Sequence, residues 1–197
     1  GTATIYRGVR AMCKQLKPVV ADIGKEVLNS QWIHVDETSH VLIDENGRQT
    51  IWVWVFCTPT AALYHLSLSR GKKVVEKVLK TYKEPGKPPP IAVTDLYGAY
   101  TKTFSVKQLC WPHGIRDVDE LAKCCEDGKN LAAKVRRLYA KCKRMQEALR
   151  NKGQESISAP LYRQLVTDIQ RIVDMETDCP DVKTMQKRFR TKGEQYL

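Results

Sequence analysis

Two aspartates interrupt runs that are otherwise built for burial. Asp36 sits inside "WIHVDETSHVLIDENGRQTIWVWVF" (32–56), a stretch rich in Val, Ile and Trp, and Asp95 ends the apolar run "IAVTD" (91–95). If their strands are neighbours, two carboxylates 59 positions apart in sequence meet at one place. Carboxylates held together repel and need a cation between them, and hard oxygen ligands of this kind suit Mg²⁺ or Mn²⁺. Two such ions, roughly 3.5 to 4 Å apart, activate an attacking oxygen and stabilise a leaving one in phosphoryl transfer. The plainer reading of either residue is a solvated aspartate at a strand edge.

The elements that must position them follow from periodicity. Apolar residues at 32–43 and 50–57 read as two strands, joined by "DENG" (44–47), whose Asn-Gly is a strong hairpin signal. "ALYHLSLS" (62–69) alternates as a third strand, "RGKKVVEKVLKTY" (70–82) reads as a short helix, and "KEPGKPPP" is a loop of breakers. A fourth strand from Ile91 runs into Asp95 and a helix, and "FSVKQLCW" (104–111) makes a fifth. Three antiparallel strands followed by strand-helix alternation predict an α/β domain with a mixed sheet. Ahead of them, Ile5, Val9, Met12, Leu16, Val20, Ile23 and Val27 form a helical stripe that Pro18 should interrupt. Beyond about residue 117 strand signals vanish. Two apolar stripes, Leu131 to Leu149 and Leu161 to Val173, predict a helical hairpin turning at 151–160, with a short helix after Pro180.

The net charge of +11 points to a polyanionic partner, nucleic acid before others. A solvated basic surface without a partner is the rival reading. Seven cysteines without a CxxC pair read as reduced thiols, and the lone Cys110-x-x-His113 lacks the two further ligands that zinc would need. No secretory signal or membrane-length apolar run occurs, so a cytoplasmic protein is expected, with no membrane partner. The start at Gly1 without Met and the stop at Leu197 within a polar helical pattern suggest a portion of something longer.

Other residues offer secondary roles. Arg70, Lys72 and Lys73 open a helix, where amides and cations together favour phosphate. His113 and Arg116, after the fifth strand, are placed to reach a phosphate, although a capping His and a surface Arg account for them equally. Glu37 alternates away from Asp36 and should face the opposite side as a structural or supporting residue. Tyr97 and Tyr100 read as core before they read as base-stacking platforms, and packing explains Trp52 and Trp54.

"HVDET" (34–38), "IWVWVF" (51–56), Ser69-Arg70-Gly71, "VTDLYGAY" (93–100) and "LCWPHGIRD" (109–117), in that order, resemble the DDE transposases of the insertion-sequence-66 family. The resemblance runs from about residue 5 to the end. It implies a ribonuclease-H-like fold: a mixed five-stranded sheet with flanking helices, first and fourth strands adjacent, and an α-helical insertion after the fifth strand. It also implies cleavage of double-stranded DNA at transposon ends and joining to a target, with Mg²⁺ (or Mn²⁺), two ions in the complete site, held by two aspartates and a glutamate. Asp36 and Asp95 match the two aspartates as catalytic and metal-binding residues. The glutamate motif, Asn-Asn-x-x-Glu-Arg in kind, has no match in the chain; Glu120 would stand in only if the helix after the fifth strand closed directly on the site, and a solvated helix glutamate is the plainer reading. The implied organisation is an N-terminal helical segment (1–30), a partial catalytic core (31–116) and a helical insertion (117–197). A homo-oligomer on DNA is expected, with room for accessory proteins. The alternatives are a catalytically inactive DNA-binding remnant and a nuclease acting on RNA hybrids.

Overall fold

The computed structural model describes residues 1–45 and 47–197, with Asp44 described by its backbone. The Asn-Gly hairpin signal falls on Asn46, outside the described residues, while Gly47 beside it takes a φ of +109°, a conformation costly for residues with a Cβ. Among the described residues there are seven α-helices and one five-stranded mixed sheet. The chain divides into two units, Gly1–Lys107 and Gln108–Leu197.

In the first unit, α1 (Thr2–Leu28) precedes β1 (Trp32–Asp44), β2 (Gly47–Cys57), β3 (Ala62–Ser67), α2 (Lys73–Tyr82), β4 (Ile91–Thr94) and the short α3 (Gly98–Thr101). With β5 (Lys107–Leu109) at the edge, the strand order is β3-β2-β1-β4-β5. β1 pairs antiparallel with β2 and parallel with β4, in the register Trp32↔Ile91, Ile33↔Ala92, His34↔Val93. Strand alternation sorts the side chains. Ile33, Val35, Trp54, Phe56 and Leu63 turn to one face and are buried with Val74, Val75 and Val78 of α2, Val27 and Leu28 of α1, and Tyr100 and Phe104. His34, Asp36, Thr38, Val53, Val55, Tyr64 and Leu66 lie on the other face, where Asp36, Tyr64 and Leu66 are exposed.

Three expectations are corrected. Pro18 does not interrupt α1, which stays continuous over 27 residues; proline removes one backbone hydrogen bond there, a local penalty that does not dictate a break. The fifth strand is Lys107–Leu109 rather than 104–111, because Trp111 already opens a helix with Pro112 in its first turn, where proline is pre-organised. The helix expected over 70–82 starts at Lys73, after a turn in which the Gly71 N–H donates to Ser69 Oγ at 3.0 Å.

The second unit comprises α4 (Trp111–Ala122), α5 (Glu126–Asn151), α6 (Ala159–Val173) and α7 (Pro180–Lys192). Its interior is built from Val118, Leu121, Leu131, Val135, Leu138, Leu165, Ile169, Ile172, Val182 and Phe189. α5 ends where Gly153 adopts φ +62°, with Gly153 N–H donating to the Arg150 carbonyl and Gln154 N–H to that of Leu149. This pair of bonds satisfies the last carbonyls and reverses the chain.

Candidate functional site

Asp36 occupies the fifth position of β1 and Asp95 directly follows β4. The recorded parallel ladder ends at His34↔Val93, and the same register carried two residues further sets Asp36 opposite Asp95. Asp36 lies on the face away from α1 and α2, and Asp95 stands just past the carboxyl end of β4, the kind of place where open α/β sheets bind ligands. Each is anchored locally through one oxygen: Asp36 Oδ1 accepts from the Glu37 N–H at 2.9 Å and Asp95 Oδ1 from the Tyr97 N–H at 2.8 Å. Both act electrostatically on the same neighbour, Tyr100. Among the described residues no donor reaches their second oxygens.

On the opposite face lies a network that sequence reasoning saw only in outline. Glu37 pairs across β2 with Trp54, and its side chain is 1% exposed. Arg70 donates from Nε to Glu37 Oε1 at 2.9 Å, with a second guanidinium nitrogen 2.8 Å from the same oxygen, while Tyr100 Oη donates to Oε2. The guanidinium lies over the rings of Trp52 (4.7 Å) and Tyr97 (4.2 Å), and the Tyr97 hydroxyl donates to the Arg70 carbonyl at 3.1 Å. Burial pushes the Glu37 carboxyl above its ordinary range, against the opposing pull of Tyr100 and Arg70. Burial, then the bond to Glu37, then the surrounding carboxylates push the Tyr100 phenol up as well. The network therefore ties the segment after Asp95 to the strand carrying Asp36. Its signal in the sequence is a carboxylate on the same strand face as two tryptophans.

Of the basic residues, Arg70 is engaged in this network. Lys72 pairs with Glu76 at 3.2 Å, and Lys73 is exposed at the first turn of α2. His113, Arg116 and Glu120 all lie on α4, in the second unit. His113 Nδ1 is buried without a hydrogen-bond partner, Arg116 is exposed, and Glu120 is a surface residue paired with Lys123 at 2.6 Å.

Asp36 and Asp95 fit a hard divalent cation in kind: two carboxylates, each with one oxygen held locally and one to spare. Among the described residues no cluster of three or more His, Cys, Asp or Glu is arranged around a metal. All seven cysteines are free thiols, with Cys125 and Cys179 Sγ 3.4 Å apart. Among the described residues no helix is long and apolar enough to cross a membrane.

The family model of the IS66 family of transposases matches residues 1–195. The chain therefore belongs to that family. No curated protein matches it.

Proposed function

We propose that this member of the IS66 transposase family carries the two-aspartate half of a metal-dependent phosphodiester-cleaving site, used for strand cleavage and strand transfer at transposon ends. The observation that carries the reading is the parallel β1–β4 ladder, which runs to His34↔Val93, two residues short of Asp36 on one strand and of Asp95 after the other. The strand order β3-β2-β1-β4-β5 supports a ribonuclease-H-like core. In this reading the chain comprises an N-terminal helical segment (1–30), a partial catalytic core (31–116) and a helical insertion (117–197).

Asp36 and Asp95 would hold Mg²⁺ or Mn²⁺, which when bound supplies charge neutralisation and activation of oxygen nucleophiles. The chain's own residues set the frame. The Glu37 and Tyr97 amides orient one carboxylate oxygen each, and the Glu37–Arg70–Tyr100 network holds the two carrying segments together from the far side of the sheet. Positioning of this kind is the main protein contribution to phosphoryl transfer, where little covalent chemistry falls to side chains. Lys72, Lys73, His113 and Arg116 are the candidate DNA contacts. Arg70 acts through its carboxylate partner, so its loss should affect the site's geometry before it affects DNA affinity. Double-stranded DNA is the partner, bound by a homo-oligomer in the cytoplasm. The third carboxylate is not assigned within the chain, and the Glu120–Lys123 surface pair gives no support to the stand-in.

The test is Mg²⁺-dependent nicking of duplex DNA bearing the element's terminal repeat, by the gene product that contains this chain. Asp36→Asn and Asp95→Asn should each abolish cleavage while leaving DNA retention intact. Cleavage that survives both changes would move the site elsewhere. Metal-independent retention with no cleavage by the unaltered protein would favour the inactive DNA-binding remnant. Preference for an RNA–DNA hybrid would favour the nuclease reading.

A further inference from the structure

We propose that α1 is a self-association element, through which two copies of this chain pair helix to helix. Ile5, Val9, Met12, Leu16, Val19 and Ile23 follow one another at steps of four, three, four, three and four. That is the heptad seam of a two-stranded coiled coil, with Val9, Leu16 and Ile23 at one core position and Ile5, Met12 and Val19 at the other. At 100° per residue all six fall within an arc of about 80°. Ile23 already packs against the first unit's interior, yet everything before it on the seam is bare. Ile5 is 70% exposed, Val9 51%, Met12 54%, Leu16 48% and Val19 52%, with Tyr6 and Val20 beside them at 64% and 42%.

An unsupported helix of this composition is poorly stable. Residues 1–20 are all exposed, and they include Gly8 and Pro18, the two residue types most costly inside helices. A partner that covers the seam supplies what the unit's own interior does not.

Charge selects a second copy as that partner. Between Ile5 and Val20 no core or flanking heptad position carries a charge: the flanks are Tyr6, Gly8, Cys13, Gln15 and Val20. Arg7, Arg10, Lys14 and Lys17 fall on the outer arc, so pairing two identical helices buries no cation and opposes no like charges. Pro18 also takes an outer position, where its missing N–H faces water. A polyanion would be drawn to the outer arc and would leave the seam bare.

Area sets the strength. Half-exposed aliphatic side chains and one tyrosine amount to roughly 400 Å² per copy, so pairing removes on the order of 800 Å², at the low end for specific association. The dimer is therefore reversible and concentration-dependent. This inference does not rest on the carboxylate site.

Sedimentation equilibrium on the chain tests it. The mass should rise from 22.5 kDa towards twice that value with concentration. Leu16→Lys should weaken the association by at least ~100-fold, because each copy loses an apolar contact and gains a charge facing its counterpart. Lys14→Glu, on the outer arc, should leave it unchanged. Both positions are exposed, so unaltered circular dichroism would show that neither change acts through folding. A monomer at every concentration, or a dimer indifferent to Leu16→Lys, overturns the proposal. So does a monomer that binds phosphatidylglycerol vesicles in a manner abolished by Leu16→Lys, which would assign the seam to a lipid surface.

Discussion

Removing the Glu37 carboxylate should separate the contributions of its two partners. In Glu37→Ala the Tyr100 hydroxyl, on a residue that is 0% exposed, loses its acceptor. An orphaned buried hydroxyl costs about 1–3 kcal/mol. Arg70 loses its ion-pair partner too, but its side chain is 43% exposed, so water replaces much of that interaction and this part is worth about 1 kcal/mol rather than the larger figure for sealed pairs. The expected total is about 2–4 kcal/mol. Glu37→Gln keeps an acceptor for Tyr100 and discards the charge, so it should cost about 1 kcal/mol. Urea unfolding read by the fluorescence of Trp52 and Trp54, which flank the network, gives both values from shifts in midpoint at constant slope. A cycle combining Glu37→Gln with Arg70→Met should return a coupling of about 1 kcal/mol. The account fails if Glu37→Ala costs under about 0.5 kcal/mol, or if Gln is as damaging as Ala, since either would mean that Tyr100 does not depend on this carboxylate.

Burial, helped by Lys77, holds the His65 imidazole below its usual 6.5. The unfolded chain then takes up this proton more readily than the folded one, so stability should fall as pH drops through 6.5 towards the lowered folded value, and His65→Gln should flatten that limb in urea midpoints measured across pH. Cys125 and Cys179 cap α5 and α7 with sulfurs 3.4 Å apart, and local hydrogen bonds lower the Cys179 thiol while raising that of Cys125. A small-molecule disulfide oxidant should therefore join them before any other pair, read as one intramolecular cross-link by peptide mass mapping and lost in Cys179→Ser.

Much of the sheet was legible because alternation survives in the sequence. Trp32 to Cys57 declares two strands whichever way they pair, and Val74, Val75 and Val78 declare the buried side of α2. Boundaries were less legible where one residue serves two elements. Trp111 looked like the end of a strand, and only Pro112 marks it as the first turn of α4. The two aspartates stood out as charges within apolar runs. The Glu37 network did not, because its partners lie 33 and 63 positions away and meet only once the β1–β2 register and the turn after β4 are in place. The α1 stripe was visible as a helix, but periodicity cannot distinguish a face that covers its own domain from one left bare. Only the fold shows that residues 1–20 stay outside the interior.

The long hairpin is held unevenly along its length. β4 pairs with Trp32 to His34 on β1, and β3 with Trp52 to Cys57 on β2, so among the described residues the rungs from His40↔Ile51 outward to Asp44↔Gly47 have no third strand. Two strands alone are marginal in water, whereas the inner rungs share the stability of the whole sheet. The outer rungs, His40↔Ile51 to Ile43↔Arg48, should therefore exchange their amides at a lower free energy than the inner ones, by a route that leaves the Asp36 end of the strand intact.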